Sequence, residues 1–278
     1  MSIESRKIEQ SLPGRETQDG AGVRLTRIIG QPLQHRLDPF LMLDYFRSDD
    51  PNDYIRGFPE HPHRGFETLT VLLQGQMRHR DNRGHEGVIE TGGAQWMLAG
   101  RGIIHSEMPE QAQGQLEGFQ LWINLPASEK MADPQYQDLN AKDIPEIQVG
   151  SSRVRVIMGT LLGMKGAIQR PRTEPIVLDV SMTHGESLTL PIETSQHAAP
   201  FTSQGDLRVG GAPLASRHLG VLDHSGDTVL IEATSDCRFL LIAGTPLHEP
   251  IASYGPFVMN SPDEIHTAIS DFQSGKFG

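Results

Sequence analysis

Two short segments carry the residue types that hold metal ions, His61-Pro62-His63 and His105-Ser106-Glu107. In an extended chain, side chains two residues apart project to the same side, so each segment can present a pair of ligands. A helix would need spacings of three or four. Pro62 favours the extended reading, because it has no N–H to give a helical ladder and is tolerated only at an edge or irregular position of a sheet. Brought together inside a barrel, the two segments would set three imidazoles and one carboxylate around a single ion. Imidazole suits iron, copper, nickel and zinc alike, so the donor set narrows the metal without naming it. Four protein ligands on a six-coordinate ion would leave two open positions, enough for a substrate and dioxygen; a closed tetrahedral zinc would leave none and would only staple the fold.

The combination carries this inference. With 12 histidines in 278 residues, about 0.5 His-x-His pairs arise by chance. His184-Gly185-Glu186 repeats half of the pattern with no His-x-His in its half of the chain, and reads as a turn.

The elements that must position these residues read as strands. Short apolar runs at 68–73, 96–99, 119–125, 154–158, 176–180, 229–231 and 239–243 alternate with bends such as Leu73-Gln74-Gly75-Gln76 and Ser203-Gln204-Gly205-Asp206. Gly 29 and Pro 19 suit many short strands better than a helical bundle. A polar stretch from Pro126 to about Gly150, with a short helix expected near 128–131, reads as a connector between two halves of similar length. The halves share wording: Gln74-Gly75-Gln76-Met77-Arg78 is echoed by Gln204-Gly205-Asp206-Leu207-Arg208, and 87–93 by 220–226. One small barrel is written twice. The expected organisation is a metal-binding barrel at 1–132, a connector at 133–149 and a second barrel at 150–278. The offsets place Pro191 and Glu193 opposite His61 and His63, and Arg238 and Leu240 opposite His105 and Glu107, a set that holds no ion. Trp96 and Trp122 read as core packing.

Composition excludes several classes. A net charge of −11 without a basic run argues against nucleic acid and anionic membrane. Cys237 is the only cysteine, so no intramolecular disulfide forms and sulfur supplies no metal cage. Neither a secretory leader nor the ~20 apolar residues of a membrane span is present. A cytoplasmic protein, expected to be a monomer, is indicated.

The pairing of the two ligand segments, together with DPFLMLDYF at 38–46, HPHRGFET at 61–68, QWMLAGRGIIHSEMP at 95–109, DPQYQDLNAKDIPEI at 133–147 and EPIASYGPFVMNS at 249–261, resembles the pirin family of the cupin superfamily. The resemblance spans nearly the whole chain. It implies an all-β bicupin, with short helices in the connector and near the C-terminus. It also implies one iron ion, Fe2+ in preference to Ni, Mn, Co, Cu or Zn, held in the first barrel by His61, His63, His105 and Glu107. In many cupins the glutamate four residues after His-x-His is the ligand, which here is Glu67; pirins resemble one another in using the second segment, so Glu107 is preferred and Glu67 is expected to orient an imidazole. Gly100 and Pro109 depart from the general cupin pattern in a pirin-like way. The activity implied is quercetin 2,3-dioxygenase-type cleavage of an aromatic flavonol by dioxygen, with Glu107 as the catalytic proton acceptor. The alternative implied is a non-enzymatic, redox-sensitive metal module that regulates a protein partner in the manner of a transcription cofactor.

Overall fold

The computed structural model of the protein describes residues 5–277, most of them in antiparallel strands. They divide into two compact units. One comprises the described residues up to Arg15 with Pro32–Pro39 and Asp143–Pro246; the other comprises Glu16–Gln31, Phe40–Lys142 and the described residues from Leu247 onward. They are called below the apolar barrel and the histidine barrel.

The histidine barrel pairs a seven-stranded sheet with a four-stranded one. The larger runs Gln135–Leu139, Ala94–Leu98, Phe66–Gln74, Leu116–Asn124, Phe40–Ser48, Val23–Ile29 and Arg15–Asp19; the smaller runs Phe58–His63, Ile103–Pro109, Gln76–Asp81 and Glu86–Glu90. In the apolar barrel the larger sheet runs Ile8–Pro13, His218–Leu222, His197–Gln204, Cys237–Gly244, Ile176–Met182, Ser152–Met158 and Glu146–Val149. Its smaller sheet runs Ser187–Pro191, Thr228–Ala233, Leu207–Val209 and Ala212–Leu214. Apart from the first strand of each larger sheet, which follows its barrel in the chain in one case (Gln135–Leu139) and precedes it in the other (Ile8–Pro13), the two orders are the same, so the chain does contain one barrel twice. Alternation sets which side chains turn inward. In the apolar barrel these include Val154, Val156, Leu178, Val180, Leu188, Leu190, Phe239 and Leu241, all in one continuous core.

Every apolar run read from the sequence falls on a strand, those at 96–99 and 119–125 running one residue past its end. The first echo is a true equivalence, since Gln74-Gly75-Gln76 and Gln204-Gly205-Asp206 turn the chain at the same point of each barrel. The second is not. Residues 87–93 lie on Glu86–Glu90 and the turn after it, in the four-stranded sheet, whereas 220–226 begin on His218–Leu222 of the seven-stranded sheet. The strands of the 76–90 hairpin have 6 and 5 residues and those of its counterpart 3 and 3, so the constant offset fails beyond it. Arg238 and Leu240 therefore stand on the wrong strand to oppose His105 and Glu107.

The helix expected near 128–131 is a pair of turns closed by Glu129 N–H to the Pro126 carbonyl and Ala132 N–H to the Glu129 carbonyl. The Lys130 side chain is drawn into the interior there, and Pro134 follows closely enough to stop a helical ladder. The connector is not structureless: it holds Gln135–Leu139, the short helical turn Ala141–Asp143 and Glu146–Val149. The one long helix among the described residues, Pro262–Gln273, starts with Pro262 in its first turn and a reciprocal cap between Ser261 and Glu264. Among the described residues no helix is long and apolar enough to cross a membrane.

Candidate metal centre

Phe58–His63 is an edge strand whose ladder partner is Ile103–Pro109. Pro62 is accommodated there, as an edge allows. The register sets Ile103 opposite His63 and His105 opposite His61, so pairing alone brings three imidazoles to one end of the barrel interior. Their ring centroids lie 4.4 to 4.9 Å apart, and their ligand nitrogens all fall within 4.8 Å of one another. The Nε2 atoms of His61 and His63 are 3.0 Å apart.

Each ring is prepared differently. His61 sets Nδ1 against the Pro59 carbonyl at 2.8 Å, a contact that fixes the proton on Nδ1 and leaves Nε2 as a lone-pair donor. His63 is 2% exposed; burial pushes its pKa well down, the neighbouring His61 adds to this, and the Pro256 carbonyl opposes it. His105 is 1% exposed and is also pushed well down, by burial first and then by His63, His61 and His79. Both His105 ring nitrogens are buried with no hydrogen-bond partner among the described residues. Neutral imidazole is the metal-ligating form.

A register shift between His105 and Glu107 breaks the ladder and re-aims the carboxylate. Glu107 lies outside the set of groups within 4.8 Å; it accepts from Thr70 Oγ1 at 3.1 Å and from Gln120 Nε2 at 3.2 Å. Burial raises its pKa, and the facing His61 together with these two donors works the other way. Glu67 is placed elsewhere. Gly65 separates the strand of His63 from Phe66–Gln74, so even spacing does not carry the face across the turn. Glu67 alternates away from Thr68 and Thr70 and accepts from Trp96 Nε1 at 2.7 Å.

The surrounding frame holds the His-x-His turn. Gly65 has φ +89°, and a Cβ there would meet the Val258 carbonyl at 2.0 Å; Gly100 has φ +48°, and a Cβ would meet the Ala132 carbonyl at 2.1 Å. The Gly65 N–H donates to the Gly100 carbonyl, tying the two ligand segments together. Lys130 is fully buried, its ammonium donating to the Gly65 carbonyl, Asn124 Oδ1 and the Val258 carbonyl at 2.7 to 3.0 Å. Arg64 pairs with Asp271 at 2.9 Å and lies over the Phe277 ring. Trp122 stacks on Phe66 and meets the edge of His63 at 5.1 Å between centroids. Thr70, Gln120 and Lys130 gave no signal in the sequence, since each stands in an ordinary strand or turn context.

Models of two families match the chain, pirin over residues 22–123 and the pirin C-terminal cupin domain over 177–278. The chain belongs to the pirin family. A pirin-like protein of Caulobacter vibrioides is 47% identical over 98% of this chain and 99% of its own length. Human pirin is 42% identical over 99% and 94%. A crystal structure of quercetin 2,3-dioxygenase from Acinetobacter baumannii superposes with a TM-score of 0.93 at 36% identity, covering 99% of both chains. Both barrels of this chain are thus cupins. Its imidazole cluster, with two buried unpartnered nitrogens on His105, suits a borderline metal ion.

Proposed function

We propose that the chain is a metal-dependent dioxygenase that opens a flavonol such as quercetin with dioxygen, releasing carbon monoxide, and that His61, His63, His105 and Glu107 hold one Fe2+ ion. The observation that carries this reading is the convergence of three imidazoles inside one barrel, with the His105 ring nitrogens making no hydrogen bond among the described residues. The similarity to the Acinetobacter quercetin 2,3-dioxygenase supports the substrate class. When bound, the ion supplies Lewis acidity and redox capacity toward an aromatic oxyanion and dioxygen.

The chain's own residues supply the rest. Glu107, its pKa raised by burial, is fitted to take the proton of the flavonol 3-hydroxyl and keep it inside the barrel. Thr70 and Gln120 donate to its carboxylate and set its direction. Trp122 and Phe66 form an aromatic wall beside His63 against which a flat ring can lie. His63, His105 and Glu107 are each no more than 2% exposed, which limits the access of bulk water to them.

Iron-loaded protein given quercetin under air should consume oxygen and bleach the flavonol. The His61→Ala, His63→Ala double variant should lose at least ~100-fold in that rate. Unchanged turnover in the double variant would sink the assignment.

A further inference from the structure

A second group of potential ligands lies in the histidine barrel. His79 on Gln76–Asp81, His85 in the turn before Glu86–Glu90 and Asp138 on Gln135–Leu139 bring their ligand atoms within 4.8 Å of one another. His79 is fully buried and stands opposite Glu107 in the ladder, so the group shares the barrel interior with the first centre but uses none of its residues. We propose that His79, His85 and Asp138 form a second binding site for a borderline divalent metal ion.

The geometry is that of a built site. His85 Nε2 is 3.4 Å from Asp138 Oδ2, is itself buried, and makes no hydrogen bond among the described residues. His79 Nδ1 is 4.0 Å from Asp138 Oδ1. Tyr136 stacks on both imidazoles, 5.4 Å from His79 at 7° and 4.5 Å from His85 at 25°, which fixes the two rings as a pair beside the carboxylate. Gly87 leaves the gap in which they meet: a Cβ there would come 2.4 Å from Asp138 Oδ2 and 2.9 Å from His79 Cε1. The Gln95 amide closes the group, its Nε2 donating to Asp138 Oδ1 at 2.8 Å and contacting His79. A half-turn of that amide presents Oε1 instead, a fourth donor once a cation replaces the hydrogen bonds.

Two imidazoles and a carboxylate favour zinc, cobalt(II), nickel or iron(II) over calcium or magnesium, which take oxygen ligands. The ligands come from both sheets of the barrel, so a bound ion would pin the 81–87 turn to the edge strand Gln135–Leu139. His85 and Asp138 keep about a third or more of their side chains exposed, which gives the ion a route in from solvent.

Cobalt(II) is the probe, because its visible bands report imidazole ligation. The full chain carrying His61→Ala and His63→Ala should still bind one equivalent, and adding His85→Ala with Asp138→Asn should weaken that binding by at least ~100-fold. In the native chain the same His85→Ala, Asp138→Asn pair should remove one equivalent from the number held. His85 and Asp138 are partly exposed, and circular dichroism of this pair variant checks that the fold is kept. The proposal is overturned if the native chain's cobalt count is unchanged by that pair. This outcome is independent of the His61 centre, whose failure would instead appear as a count unmoved by His61→Ala and His63→Ala.

Discussion

The two barrels have one topology and opposite interiors. Met77 and Leu207 follow the same Gln-Gly turn, and counting along the ladders from them sets Glu107 opposite His79 in one barrel and Ile231 opposite Val209 in the other. His105 then corresponds to Val229, its ladder partner His61 to Leu190, and His63 to Ile192. All four apolar counterparts are buried and belong to one core cluster. Where the histidine barrel gathers ionisable groups, the apolar barrel is filled with aliphatic carbon. The ladders, the turn glycines and the inward–outward alternation are common to both, so these fix the architecture. The identity of the inward residues at one end is left free to carry chemistry.

The sharpest way to break this comparison is to write the site's carboxylate into the other copy. Ile231→Glu puts an ionisable group among Leu188, Leu190 and Val229 with no donor matching Thr70 or Gln120. It should cost about 4 kcal/mol or more, or prevent folding; a loss under ~1 kcal/mol in urea unfolding would show that the interiors are interchangeable.

The apolar barrel does carry buried charge, but on the opposite face of its sheet. Asp179, between the core residues Leu178 and Val180, takes Arg155 Nη1 at 3.0 Å and Arg238 Nε and Nη2 at 2.8 and 2.7 Å. Burial raises its pKa, but Arg238 and Arg155 outweigh this and hold the carboxyl below the usual range. Asp179→Asn should cost about 3 kcal/mol, because two guanidinium groups lose the charge of the buried carboxylate they share. The sign with pH follows. A depressed folded pKa contributes stability above the unfolded value, ~3.9, and loses it as pH falls through the folded value. The gap between wild type and variant should thus be full at neutral pH and close below about pH 4. A gap that is constant with pH would show that the charge is not what the pair supplies.

Much of this was legible in the residues. His61, His63 and His105 converge as their spacing implied, because period-two alternation and antiparallel pairing are local rules. The doubled barrel was legible through Gln-Gly turns, and the strand runs through their aliphatic content. What failed was counting at constant offset: across a hairpin of unequal length it moved the expected partners of His105 and Glu107 to Cys237–Gly244, and it set those of His61 and His63 one residue late, at Pro191 and Glu193 instead of Leu190 and Ile192. The face of Glu67 was misjudged because Gly65, in the left-handed region, resets the alternation. The His79, His85 and Asp138 group was hidden for a different reason: its members sit on three elements and meet through sheet closure, which no local pattern encodes. Lys130 gave no signal for another reason: two of its three buried acceptors, the Gly65 and Val258 carbonyls, come from segments distant in sequence.

The smallest effect is the most discriminating, since its sign depends on metal. His105 buries two ring nitrogens with no protein partner, and each orphaned polar group costs about 1–3 kcal/mol in the metal-free fold. Its counterpart Val229 has no such cost. Replacing His105 with leucine, close to it in volume, should leave the chain about 1 kcal/mol more stable in the presence of chelator, once some loss of packing is allowed for. Iron(II) should stabilise the wild type by about 2.7 kcal/mol more than the variant at a hundred times the dissociation constant of the His61 centre, since the His79 group is common to both, so the order of the two proteins inverts on loading. Paired urea titrations with chelator and with iron(II) read both signs. A His105→Leu variant that is less stable in chelator would mean that the imidazole has a structural partner, and that the difference between the two interiors is one of packing before it is one of metal.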